Sequence, residues 1–185
     1  MRRILVGIVL MLILSTIMSM CISNDSSDTL TTIQQSTTSA SHQQTNTSTS
    51  QIDTTKLHFY MFGQAACPHC RDMKELLPKI FGEDKFTYYE LQGNEHNSQL
   101  FSELYNILGV TGVPVIGIFY DNHIVAIVEG GIPDPAKNVP RIVSVALEEG
   151  GVVFISDKTY VIPSNQTEII KKLENIFTSG EASEE

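Results

Sequence analysis

Two cysteines in the pattern Cys67-Pro68-His69-Cys70 stand between a run with the character of a β-strand and a run with the period of a helix. The preceding run, Leu57-His58-Phe59-Tyr60-Met61-Phe62, is rich in aromatic residues, has strand length and is ended by Gly63. The following run carries Met73, Leu76, Leu77 and Ile80 at helical spacing, and Pro78 is expected to kink that helix near its end. Cys67 then falls at the helix N-cap and Pro68 at the first helical position, where a fixed φ suits the turn and the missing N–H costs nothing. Cys70 follows one turn later on the same face, within reach of a disulfide. Unpaired N–H groups and the positive end of the helix dipole point at the Cys67 sulfur and favour its thiolate, an effect His69 would add to. A favoured thiolate stabilises the reduced pair and makes its disulfide a better oxidant. Cys67 is therefore the expected nucleophile and Cys70 the resolving thiol.

The rest of the chain places this motif in an α/β setting. Residues 85–91 read as a second strand, and Leu100, Leu104, Ile107 and Leu108 as the apolar stripe of a second helix ending at Gly109. Residues 113–120 and 124–129 form two further strands joined at Asp121-Asn122 as a hairpin, which Gly130 and Gly131 end. Residues 139–147 look helical, 152–155 and 159–162 look like a small hairpin, and 168–177 form another amphipathic helix. Strands alternating with helices and then an antiparallel pair argue for a mixed sheet covered by helices. Phe59, Met61, Leu76, Val115 and Phe119 are expected in the core.

Cys67-Pro68-His69-Cys70 after a strand, with Thr111-Gly112-Val113-Pro114 before a later strand, resembles the thioredoxin superfamily. The Pro-His dipeptide is similar to that of DsbA-like dithiol oxidases. The lead-in Phe62-Gly63-Gln64-Ala65-Ala66, which lacks tryptophan, is closer to archaeal glutaredoxin-like proteins. The resemblance covers about residues 56–147. It implies a thioredoxin fold with a mixed four-stranded sheet, leaving an extra C-terminal hairpin and helix, 150–178, outside the minimal fold. It also implies a cis proline at Pro114 facing the cysteines, with Val113 offering its backbone to an extended substrate segment and Pro68 completing the substrate-binding surface. Strand-like pairing of that kind gives affinity without sequence choice. The superfamily's buried acid on the first strand has no counterpart among residues 59–62, and Glu90, the nearest substitute, reads as a surface glutamate.

Arg2 and Arg3 precede an uncharged, mostly apolar run over residues 4–22, with the charged start and apolar body of a secretory leader and enough length to span a bilayer uncleaved. Either way the arginines keep the amino end in the cytoplasm and send the rest across. Residues 1–22 are thus a leader or membrane anchor, and the folded part is expected to be extracytoplasmic, held on the outer face of the cell membrane. Met18-Ser19-Met20-Cys21 loosely resembles a lipoprotein cleavage box with Cys21 as the lipidated residue, although such boxes favour small residues where Met20 stands. The alternative is a buried cysteine at the end of a membrane helix. Residues 23–55 are dominated by Ser, Thr, Gln and Asn and read as a disordered stalk. A thioredoxin-like domain over 56–178 and an acidic tail over 179–185 complete the chain. Asn24, Asn46 and Asn165 each open a glycosylation acceptor triplet.

With Lys and Arg totalling 12 against 21 for Asp and Glu, the net charge of -9 argues against nucleic acid, which needs clustered cations. Only 3 cysteines are present, too few for a disulfide-stapled scaffold. The function expected is exchange of disulfides with the thiols and disulfides of exported proteins, recycled by a membrane redox partner, with no cofactor and no metal. One rival is a soft-metal module using both thiolates and His69, but there is no second CxxC, and His58, His96 and His123 are scattered. The other is a non-enzymatic surface protein with a structural Cys67–Cys70 bond, a poor staple because so short a loop removes little unfolded-state entropy.

Overall fold

The computed structural model describes residues 52–183. The leader over 1–22 with Cys21, most of the stalk over 23–55, and Glu184 and Glu185 of the tail lie outside the described residues. Ile52, inside the segment read as stalk, packs against the core, and Asp53 caps a 3-10 turn at Thr54–Lys56. No helix among the described residues is long and apolar enough to cross a membrane.

The elements follow as β1 (Leu57–Gly63), α1 (Pro68–Phe81), β2 (Phe86–Glu90), α2 (Glu95–Leu108), β3 (Val115–Tyr120), β4 (His123–Glu129), α3 (Pro135–Glu149), β5 (Gly151–Ile155), β6 (Thr159–Pro163) and α4 (Thr167–Thr178). They build an α/β architecture around a six-stranded mixed sheet of order β2-β1-β3-β4-β5-β6. β1 with β2 and β4 with β5 are parallel, and the other neighbours are antiparallel. The sheet has six strands where four were expected, because β5, the first strand of the extra C-terminal hairpin, joins β4 and carries β6 with it. The reason lies in β4. Ile124, Val125, Ala126, Ile127 and Val128 are all buried, the signature of a strand covered on both faces and paired on both edges. α3 supplies the crossover that parallel pairing with β5 requires.

Strand alternation sorts the core into two layers. Phe59 and Met61 of β1 point to the side packed by Met73 and Leu77 of α1 and Val139 and Val143 of α3. Phe62 points to the other side, with Val115, Phe119, Leu100 and Leu104, and Leu173, Ile176 and Phe177 of α4. The expected core residues are thus buried, with Leu76 partly so, but Val115 and Phe119 lie on the opposite face from Phe59 and Met61.

Local chemistry explains several element ends. Asp121 and Asn122 take φ of 56° and 67°, the left-handed pair that a two-residue hairpin turn needs. α3 begins earlier than its apolar period suggests, since Pro135 occupies a first-turn position where proline is tolerated, and the helix continues through Pro140. α1 likewise runs on past Pro78 to Phe81.

α4 has a specific target. A Cβ on Gly117 of β3 would lie 2.8 Å from the Phe177 ring, so the missing side chain leaves the space that Phe177 fills. The ring also meets Phe62 and Phe119 at centroid distances of 5.7 and 6.4 Å. Replacing Phe177 by alanine is expected to lower the unfolding free energy of the full chain by about 3–5 kcal/mol, read from chemical denaturation. A loss below about 1 kcal/mol, within the surface range, would mean that α4 is not part of the cooperative core.

The segment after α4 is more than a charged end. Asn97, fully buried, donates through Nδ2 to the Glu90 and Glu181 carbonyls at 3.0 Å each and accepts the Glu181 N–H at 2.8 Å. The Ser183 N–H donates to the Tyr88 carbonyl, and its Oγ accepts the Glu90 N–H, both at 3.0 Å. These bonds lay residues 181–183 along the outer edge of β2, which would otherwise present unpaired backbone groups.

Candidate active site

The site is built where β1 hands over to α1. After Gly63 the chain turns through residues 64–67, closed by the Cys67 N–H donating to the Gln64 carbonyl at 3.0 Å. Arg71 reaches back from α1 and donates to the Ala65 and Ala66 carbonyls at 3.1 and 3.3 Å, tying the turn to the helix. Cys67 is the N-cap residue of α1 in extended backbone conformation, with Pro68 in the first turn. Its Sγ accepts the Cys70 N–H at 3.3 Å, so a donor left over by the helix start is spent on the sulfur. Cys67 is half-buried and Cys70 is 1 % exposed, and both are free thiols.

The start of β3 lies on the other side of Cys67. The Val113–Pro114 peptide bond is cis, Val113 is half-buried and Pro114 buried. The Cys67 thiol donates to the Val113 carbonyl at 3.5 Å. β3 begins at Val115, two residues later than its apolar run suggests, consistent with Pro114 lacking an N–H to give to a ladder. Residues 67 and 113, far apart in sequence, are thus brought together, whereas Pro68 is exposed on the helix start.

Behind Cys67 the second thiol is enclosed. Gly63 makes this possible, since a Cβ there would lie 2.8 Å from the Tyr88 ring and 3.2 Å from Cys70 Sγ. Burial, the adjacent Cys67 thiol and the charge of Glu90 push the Cys70 thiol up to about 12. Glu90 is not the surface glutamate expected from sequence. It is half-buried, and its carboxylate accepts the Tyr88 hydroxyl, the Ala65 N–H and the Gln92 N–H, each at 2.9 Å. Tyr88 is in turn held protonated by burial first and then by the bond to Glu90. Cys70, Tyr88 and Glu90 border a cleft of about 720 Å³ that also takes in Arg71 and Lys74.

His69 points outward. Its side chain is 75 % exposed, with Nδ1 4.0 Å from Asp72 Oδ2. His58 meets the Thr87 hydroxyl, His96 the Ser179 carbonyl and His123 Glu174, so each imidazole belongs to a different element. Among the described residues no group of three or more His, Cys, Asp or Glu side chains could hold a metal ion.

Sequence reasoning missed Tyr88, Arg71 and Gly63 and misread Glu90. Tyr88 and Glu90 sit two apart on one strand and so share a face, but that face is matched to the cysteines only by the parallel pairing of Gly63 with Glu90. No protein-family model, curated protein or solved structure matches this chain, so the functional reading rests on the geometry of the site.

Proposed function

We propose that the chain is a thiol–disulfide oxidoreductase of thioredoxin fold, with β5, β6 and α4 added to it, acting on the thiols and disulfides of exported proteins. The observation that carries the reading is the asymmetric pair at one helix start: a half-buried Cys67 sulfur receiving a backbone N–H, and an enclosed Cys70 one turn behind it. Such a pair suits attack by one sulfur and resolution by the other. In the reducing direction the Cys67 thiolate attacks a substrate disulfide, forming a mixed disulfide and expelling one substrate sulfur as a thiolate that takes up a proton. Cys70 then gives up its proton, attacks Cys67 Sγ and breaks the mixed bond. The substrate gains two electrons and two protons, and the enzyme holds a Cys67–Cys70 disulfide. The oxidising direction is the reverse. Glu90, which lines the same cleft as Cys70 and whose charge acts on that thiol, is the carboxylate assigned to the Cys70 proton in place of a first-strand carboxylate.

Val113 and Pro114 form the substrate platform, and the exposed His69, two positions after Cys67, is assigned the tuning of the entering sulfur. Residues 1–22 would hold the domain on the outer face of the membrane, where a membrane redox partner recycles the pair.

Equilibration of the full chain with glutathione mixtures tests this reading, in a Cys21→Ser background with Cys67→Ser as control. A two-electron transition between dithiol and disulfide is expected, counted by mass after thiol trapping. A potential well above about −270 mV marks an oxidase or isomerase, and a lower one a reductase. A pair that does not cycle overturns the reading.

A further inference from the structure

We infer that Glu129 is a positioning residue for this exchange: by clamping the 111–114 loop it fixes the Val113 backbone against which an extended substrate segment pairs beside Cys67. The inference rests on the thiol–disulfide reading above. The loop is neither helix nor strand, yet Val113 is the residue whose carbonyl stands 3.5 Å from Cys67 Sγ. Something outside the loop must therefore set its position.

Glu129, at the end of β4, does so. Its Oε1 accepts the N–H groups of Thr111 and Gly112 at 2.7 Å each, with the Thr111 hydroxyl at 3.5 Å. Two backbone donors on one carboxylate oxygen are short, charge-assisted bonds. From the other side, the Gly130 N–H donates to the Pro114 carbonyl at 2.7 Å, and Val115 is the register partner of Glu129. Residues 129 and 130 thus hold the loop just before and just after Val113. Strand-like recognition needs the N–H and carbonyl of the presenting residue at fixed positions, and a shift of about 1 Å in a positioned group is enough to slow reaction strongly. Glu129 touches no reacting atom and acts through Val113.

The test compares two disulfides on the reduced full chain in a Cys21→Ser background. One is an extended peptide with a disulfide, which can pair with Val113. The other is a small aryl disulfide, which has no backbone to pair. In Glu129→Ala the second-order rate constant for the peptide is expected to fall about tenfold while that for the aryl disulfide stays within about twofold of wild type. In Glu129→Gln, whose carbonyl can still accept both N–H groups, both rates are expected to stay within about twofold. An unchanged peptide rate in Glu129→Ala overturns the inference. So does an equal fall in both rates, or a Glu129→Gln variant as impaired as the alanine. If the wild-type chain reacts with neither disulfide, the exchange reading itself fails and the inference fails with it.

Discussion

Under the proposed exchange activity, replacing Cys70 by serine is expected to leave a trap in place of a catalyst. The serine keeps the backbone N–H that donates to Cys67 Sγ at 3.3 Å, so the entering sulfur stays in place. What disappears is the internal thiol that breaks the mixed disulfide. Exchange then stops after the first step, and substrate proteins remain joined to Cys67 until an external thiol releases them. In a Cys21→Ser background, non-reducing electrophoresis of the Cys70→Ser chain should show adducts that collapse with dithiothreitol. Cys67→Ser, which removes the attacking sulfur, should form none and should lose exchange activity by about a thousandfold or more. Adducts on Cys67→Ser with none on Cys70→Ser would reverse the assignment of the two thiols, and equal yields on both would abolish the distinction between them.

A second large effect is expected in the native protein without any substitution at the pair. The Cys70 thiol is 1 % exposed and pushed from 9.0 up to about 12 by burial, the neighbouring Cys67 thiol and Glu90. A rise of three decades (12 − 9) leaves about a thousandfold less thiolate than an ordinary cysteine at the same pH, and only the thiolate alkylates. Iodoacetamide at pH 8 should therefore mark Cys67 and spare Cys70 until the chain is denatured, as read by peptide mass mapping. Comparable labelling of both thiols would mean that Cys70 is not enclosed. The same shift makes the fold weaker in alkali. The folded chain holds a proton that the unfolded chain releases, so this contribution is intact below pH 9.0 and is lost as the pH rises towards 12.

Much of the local structure was legible along the chain because its causes are local. A cysteine before a proline at a helix start, a left-handed Asp121-Asn122 turn and Gly109 closing α2 at φ 73° each follow from one or two residues' own preferences. The apolar stripe of α4 was visible too, but not its target, since the hole at Gly117 is a property of the sheet. The same limit explains the sheet itself. The β5–β6 hairpin is a short-range signal, whereas the parallel pairing of β5 with β4 depends on α3 returning the chain to an edge 27 residues back in sequence, as in Val128 with Ile155 and Ala126 with Val153.

The sequence by itself determined where the two cysteines stand, Cys67 capping a helix and Cys70 in its first turn, because that helix start lies within four consecutive residues. Only the tertiary structure decided what surrounds them. Glu90 belongs to the enclosure of Cys70 because β2 runs parallel to β1 and sets it opposite Gly63. Val113 meets Cys67 because β3 runs back beside β1, bringing residues 46 positions apart to 3.5 Å. Glu129 holds the Val113 loop because the β3–β4 hairpin ends there, 17 positions beyond Gly112. Each of these contacts requires closing a long loop, and the free energy for that closure comes from burying the central strands of the sheet under its helices, not from the residues that meet.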